Sequence, residues 1–385
     1  MATACGNGRS LVAATVATTR SASPPTAKPR ATPTADDQPI IDTVREIAAA
    51  PVLTGSTGWL IYTRGPELFI ADLATGNEQQ LTHDATAAGY AGDAVIDGMT
   101  WLYYFSITNA SQGAVVLTRR RLSGGAEERL FTFRRSDVIT VGMNVAAVSP
   151  DGTRVAYTAS DGLHVRTLAS GDDRLLLANM PRARDGSGAG FHYDAPAWSP
   201  AGRWLLVYRG ADPPANIQNA GPVVLDPSDP ASARDVPLGG WPAWSPDGQR
   251  LCGETRATVS DLALYTLNSG EVRNLTSARS ADSIVPRDFG ACTWLNDGEL
   301  AAEYNVGGLQ LRIAVLDTTG RQIATLDAGA VLSGAIWLPN GSGVIVSTLA
   351  GTPLEPQSSA VMLDGSWRRI PDSPGTVVGT IRPSR

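Results

Sequence analysis

Apolar residues along the chain come in short runs, each closed by turn residues, and almost none has the spacing of a helix face. Val155-Ala156-Tyr157-Thr158, Trp204-Leu205-Leu206-Val207-Tyr208 and Leu262-Ala263-Leu264-Tyr265-Thr266-Leu267 are typical. Runs this short, rich in β-branched and aromatic residues and bounded by Gly, Pro, Asn or Asp, predict strands. The pattern has an internal order. One strand ends in Trp-Ser-Pro and meets an Asp-Gly turn, a second follows, a third runs into Thr75-Gly76 or Ser269-Gly270, and a fourth ends in Leu81-Thr82 or Leu275-Thr276. Ile40 to Ala49 is the exception. Ile40, Ile41, Val44 and Ile47 fall on one face, which predicts a short amphipathic helix.

This order repeats. Ala197-Trp198-Ser199-Pro200-Ala201-Gly202 recurs as Ala243-Trp244-Ser245-Pro246-Asp247-Gly248, with weaker copies ending at Gly152, Gly298 and Gly341 and degenerate ones near Gly98 and Gly58. The five clear glycines are 50, 46, 50 and 43 residues apart. Four antiparallel strands per unit at that period predict an all-β fold, a β-propeller of four-stranded blades. Units start near Leu53, Gly92, Met143, His192, Gly240, Gly290 and Ser333, which makes seven blades, with six or eight as the neighbouring counts. The first unit lacks a Trp-Ser-Pro strand, and Thr376-Val377-Val378-Gly379-Thr380-Ile381 is placed to supply it and close the ring. Trp198, Trp244, Trp294 and Trp337 are then expected in the core between blades rather than in a ligand cage.

The Pro-x-Trp-Ser-Pro-Asp-Gly, Thr-Gly and Leu-Thr pattern resembles the TolB-type propeller repeat, most clearly from Met143 to Thr276. Similar repeats form the propellers of dipeptidyl-peptidase and tricorn-like proteins. The resemblance implies a fold and says little about function.

Composition agrees with this reading. The 40 glycines and 26 prolines exclude a helical bundle, and 43% hydrophobic residues provide for a core. A net charge of −6 argues against nucleic acid as a partner. Residues 1–39 read as a disordered Pro/Thr/Ala-rich tether, 40–52 as the helix and lead-in, and 53–385 as the propeller. Ala2-Thr3-Ala4-Cys5-Gly6 resembles the end of a bacterial lipoprotein signal, which makes Cys5 the candidate lipidation site. A secretory signal using Arg9 and Leu11 to Thr18 is an alternative, as is an unprocessed arm that leaves the protein in the cytoplasm. Cys252 and Cys292 lie in predicted strands of consecutive units and are expected to be buried free thiols, with a pairing between them as the alternative.

No phosphate-binding loop and no Gly-x-Ser-x-Gly elbow appears in the 385 residues, so the hydrolase domain of the peptidase relatives is not represented. No metal site or cofactor is expected. Asp226-Pro227-Ser228-Asp229 reads as a solvated turn rather than a calcium loop. The stretch Asp226 to Arg234 is expected as one long connection between outer strands. The other long connections (Ile107 to Gly113, Met180 to Tyr193, Gly210 to Gly221, Ser277 to Asp288 and Leu349 to Ser358) would open on one face. Around unit four they gather Arg182, Arg184, Asp185, His192, Tyr193, Asp194, Arg209, Asn216 and Gln218, with Trp241 joining from the next unit. Arginine and aromatic content suits a protein or glycan partner. The expectation is therefore a monomeric, non-catalytic scaffold outside the cytoplasm, binding a protein or cell-envelope ligand on the long-loop face and touching the membrane only through a lipid anchor. The alternative is a propeller enzyme, a glycan or peptide hydrolase or lyase, with His192 and Asp194 at the central channel.

Overall fold

The structure is a computed structural model that describes residues 49–382 apart from 54, 112, 135–144, 181–189, 212–219, 257–259, 277–287, 306–310, 328–330, 351–354 and 371–374. The tether, Cys5 and nearly all of the expected helix lie outside the described residues. The described chain forms strands β1 to β28, grouped into seven four-stranded antiparallel sheets. Blade 1 takes its first strand from the far end of the chain: β28(Thr376–Ile381) pairs with β1(Trp59–Arg64), which continues to β2(Glu67–Asp72) and β3(Glu78–Gln80). Blades 2 to 7 follow in sequence order at 85–133, 146–178, 191–235, 239–274, 288–327 and 331–369. Seven is thus the blade number, and the ring closes through the strand the sequence pointed to.

There is no single central core. Seven apolar clusters each fill one interface between consecutive blades, because each sheet carries buried side chains on both faces. The repeated tryptophans supply more than bulk. Trp198 Nε1 donates to the Ala147 carbonyl at 3.0 Å, Trp244 to Ala197 at 3.1 Å, Trp294 to Ala243 at 3.1 Å and Trp337 to Thr293 at 3.3 Å. Each acceptor sits just before the matching position of the preceding blade. Four of the seven junctions are thus stitched by one recurrent bond, which satisfies the polar edge of Trp198, Trp294 and Trp337, all buried, and of Trp244, which is partly so.

The turns between first and second strands explain the Ser-Pro-Asp-Gly signature. Ser149, Ser199 and Ser245 are fully buried, and their hydroxyls accept the backbone N–H of Arg154, Trp204 and Arg250 at 2.9–3.0 Å. The glycines adopt φ near +67°, +68° and +66°, where a Cβ would be strained. In blades 3 and 5 an arginine reaches forward from the turn. Arg154 donates to the Gly202 carbonyl at 3.0 Å and lies over Trp198, and Arg250 does the same to the Asp297 carbonyl at 2.8 Å and to Trp294.

Three expectations are corrected. Cys252 on β17(Arg250–Glu254) and Cys292 on β20(Asp288–Asn296) are not free thiols. Both are buried, but they form a disulfide from blade 5 to blade 6, with Cα atoms 6.2 Å apart. Asp226 to Arg234 is not a long loop either. Strand β14(Gly221–Asp226) turns sharply into β15(Asp229–Asp235), and the Asp226 carboxylate holds the turn by accepting from Ser228 N and Oγ at 2.8 and 2.6 Å. The connections at 180–193 and 349–358 are also shorter than expected. Phe191–Trp198 is already strand β12, and β25(Gly343–Ala350) runs almost into β26(Glu355–Met362). Finally, the lead-in pairs with blade 7: Leu53 N donates to the Arg369 carbonyl at 2.7 Å and Arg369 N to the Pro51 carbonyl at 3.0 Å, which covers that blade's outer edge.

Candidate functional site

First strands of most neighbouring blades meet around the ring, so they line its centre; between blades 4 and 5 the first strand of blade 5 meets the third strand of blade 4 instead. Several of them carry the same irregularity. Register shifts occur between Tyr90 and Gly92, Asp194 and Ala197, Gly239 and Ala243, Phe289 and Cys292, and Ser333 and Ile336. A bulge of this kind re-aims the side chains beside it. In blade 4 it costs backbone strain, since Ala195 has φ +50° without being glycine. The bulges sit towards the end at which first strands begin and second strands finish, the end onto which the long connections open.

At that end of blade 4, His192 Nε2 lies 2.9 Å from Asp194 Oδ2, with the Asp194 side chain 6% exposed and that of His192 30%. Strand β12 pairs with β13(Leu205–Ala211), which sets His192 opposite Gly210 and Asp194 opposite Tyr208. A Cβ on Gly210 would come within 2.6 Å of His192 Nε2, so a side chain there would push the imidazole aside. Tyr208 in turn packs on Trp241 of β16(Gly239–Trp244), with ring centroids 4.2 Å apart and Trp241 42% exposed. Burial raises the Tyr208 hydroxyl above its ordinary pKa, with Arg256 opposing and Glu254 adding, so it remains a donor. Beneath Trp241 the Gly239-Gly240 backbone passes close to the Glu254 side chain. A Cβ on Gly240 would lie 2.8 Å from Glu254 Oε1.

The residues gathered by sequence do not form one patch. Strand alternation divides them. His192, Asp194 and Tyr208 face blade 5 with Trp241, whereas Tyr193 is buried in the cluster shared with blade 3. Arg209 follows Tyr193: it interacts with the Tyr193 hydroxyl, lies 6.0 Å from the Phe191 ring centroid and pairs with Asp235 at 2.9 Å. Arg182, Arg184, Asp185, Asn216 and Gln218 lie outside the described residues. Sequence reasoning missed Tyr208, Glu254 and Arg256. Arg256 donates to the Leu238 and Val236 carbonyls at 2.9 and 3.2 Å and so pins the crossover from blade 4 to blade 5. A usable signal was the Gly239-Gly240 pair, where side chains are missing from a first strand so that something else can fill the space. Among the described residues no group of three or more His, Cys, Asp or Glu could hold a metal ion.

Chemically, a buried carboxylate fixing an accessible imidazole is an acid–base couple, and the Tyr208–Trp241 step beside it offers an aromatic platform. The chain matches no protein-family model, and no curated protein matches it. Solved structures do resemble it. Puromycin hydrolase is 14% identical over 89% of this chain and 55% of its own, with a TM-score of 0.54. Oligogalacturonate lyase from Vibrio parahaemolyticus is 11% identical over 81% of this chain and 85% of its own, at 0.51. TolB from Acinetobacter baumannii is 18% identical over 69% of this chain and 62% of its own, at 0.39. The protein is a seven-bladed β-propeller with a weak likeness to TolB proteins. At these identities the likenesses establish the fold alone.

Proposed function

We propose that the protein binds its ligand at the long-connection end of the channel, beside blades 4 and 5, and that His192 moves a proton on that ligand. This makes it a propeller enzyme acting on a glycan or a peptide, rather than the purely passive scaffold the sequence favoured. The observation that carries the reading is the 2.9 Å contact between His192 Nε2 and the buried Asp194 carboxylate. A carboxylate removed from water needs a partner, and one that holds a histidine fixes both its ring and its tautomer. The comparisons lend support in one respect. The likeness to oligogalacturonate lyase spans 85% of that enzyme's chain, whereas the likeness to puromycin hydrolase spans only 55%. A propeller can therefore make up most of an enzyme.

The test is turnover of a panel of envelope-derived oligosaccharides and short peptides by purified protein. Wild type is expected to convert at least one member. His192→Asn and Asp194→Asn are expected to lower kcat by about a hundredfold or more, and Trp241→Ala to raise KM with a smaller effect on kcat. No turnover by wild type, or full turnover by the two variants, rejects the catalytic reading. The half-exposed Trp241 favours a second reading, in which the same end captures a protein or glycan without converting it. Location outside the cytoplasm is part of the proposal. The disulfide supports it, since such bonds persist in oxidising compartments, and a lipid at Cys5 is the expected anchor. No helix among the described residues is long and apolar enough to cross a membrane. Mass spectrometry of the mature N-terminus tests the anchor; an unmodified Met1 rejects it.

A further inference from the structure

The side of blade 2 that faces blade 1 is apolar at Leu102 and Tyr104 but turns polar towards the end of its second strand. On β5(Met99–Thr108), Tyr103 and Phe105 face blade 3 and are buried among apolar residues. The alternate residues Tyr104, Ser106 and Thr108 turn towards blade 1, and on β6(Val115–Arg121) Tyr104 meets Thr118 and Ser106 meets Val116 in register. Tyr104 and Thr118 are buried against blade 1, and beyond them Ser106 and Thr108 carry the hydroxyl-bearing face past the end of β3 at Gln80. The result is a cavity of about 280 Å³. Leu81, Tyr104, Val116 and Thr118 form its floor, each less than a tenth exposed, and His83, Glu127 and Arg129 stand exposed at its rim.

The Tyr104 hydroxyl is buried in this cavity with no hydrogen-bond partner among the described residues. Burial raises its pKa, and the Glu127 carboxylate beside it adds to the effect, so the phenol keeps its proton. Leaving such a group unsatisfied in a protein interior costs stability and calls for an explanation. The floor is polar but carries no charged side chain, so an ionic ligand would lose its hydration without gaining a counter-charge. Leu81 and Val116 offer apolar surface beside the hydroxyls. The volume lies just below the roughly 300–1,000 Å³ of sites for larger small molecules and far above the roughly 30 Å³ share of one water.

We infer that this cavity, separate from the blade 4–5 site, binds one neutral polyhydroxylated ring of hexose size, free or at the end of a glycan. The Tyr104 hydroxyl donates to a sugar oxygen, and Thr118 lines the floor beside it.

The experiment is titration calorimetry with saturation-transfer NMR on the full chain. Probes are glucose, galactose and mannose, their methyl glycosides, and short oligosaccharides ending in them, with glycine and glutamate as charged controls. At least one sugar is expected to bind with a dissociation constant of about 1 mM, the strength its size allows. Tyr104→Phe is expected to weaken binding about fivefold or more, the worth of a typical hydrogen bond, while its thermal midpoint in the free protein stays level or rises. Thr118→Val is expected to weaken binding similarly. Binding of free sugars alone assigns a soluble ligand, and binding of glycosides and oligosaccharides as well assigns a glycan end; both support the inference. Absence of sugar binding, preference for glycine or glutamate, or undiminished binding by Tyr104→Phe overturns it. Loss of sugar binding in His192→Asn also overturns it, by moving the sugar to the other site.

Discussion

At the scale of single residues, the serine that heads each Pro-Asp-Gly turn does more than its size suggests. Ser245 accepts the Arg250 amide at 2.9 Å and donates to Asp247 Oδ1 at 2.5 Å from a fully buried position. Ser245→Ala is expected to cost about 1–2 kcal/mol, read as a lower denaturant midpoint with an unchanged slope. An unshifted midpoint would mean that the turn holds by proline and glycine alone. Asp93 works the other way. Burial holds its carboxyl above the usual carboxylate range, and the hydrogen bond from Tyr90 opposes this only in part. In the unfolded chain it ionises at the ordinary value, so at neutral pH its charge weighs against folding, and that penalty is relieved as pH falls through the raised folded pKa. Asp93→Asn can still accept from Tyr90. It is expected to raise the thermal midpoint at pH 7 and to lose that advantage as pH falls to about 4. Equal midpoints for the two proteins throughout that window would contradict this account.

Between elements, the decisive contacts cross from one blade to the next, and this governs what could be read from sequence. The Ser-Pro-Asp-Gly turns and the Trp positions recur in every good copy of the repeat, so blade number, ring closure by β28 and the burial of Trp198, Trp294 and Trp337 were all legible. Pairings between units were not. Cys252 and Cys292 each look like an ordinary buried strand residue. They meet because a second strand of blade 5 faces a bulged first strand of blade 6, a register that no local pattern encodes. The cross-link spans 40 residues. Reducing it, or replacing both cysteines by alanine, is expected to cost about 4 kcal/mol by loop entropy, measured by denaturant unfolding with and without reductant. A change below about 1 kcal/mol would show that the two blades are held together without it. The same dependence on register split the candidate site. Tyr193 and Arg209 are neighbours in sequence of Asp194 and Tyr208, yet alternation sends each pair to opposite faces of blade 4. Tyr104 was hidden for a similar reason, since its place opposite Thr118 and against Leu81 of the preceding blade rests on pairings that no local pattern encodes.

For the whole molecule, the ring has two unlike ends. One is closed by short Pro-Asp-Gly turns, each held by a buried serine and a left-handed glycine. The other carries the long connections, the first-strand bulges, the strained Ala195, the His192–Asp194 couple and the exposed Trp241. A strained alanine beside a buried carboxylate and a half-exposed imidazole are features expected of a working site. The central claim is that ligand engages this end beside blades 4 and 5. Its most direct test is hydrogen–deuterium exchange of His192→Asn protein, with and without a substrate that wild type converts. The account predicts slower exchange in Phe191–Trp198, Leu205–Ala211 and Gly239–Trp244, and no change in the turns at 149–152, 199–202 and 245–248. Protection of those turns, with none in blades 4 and 5, would contradict it.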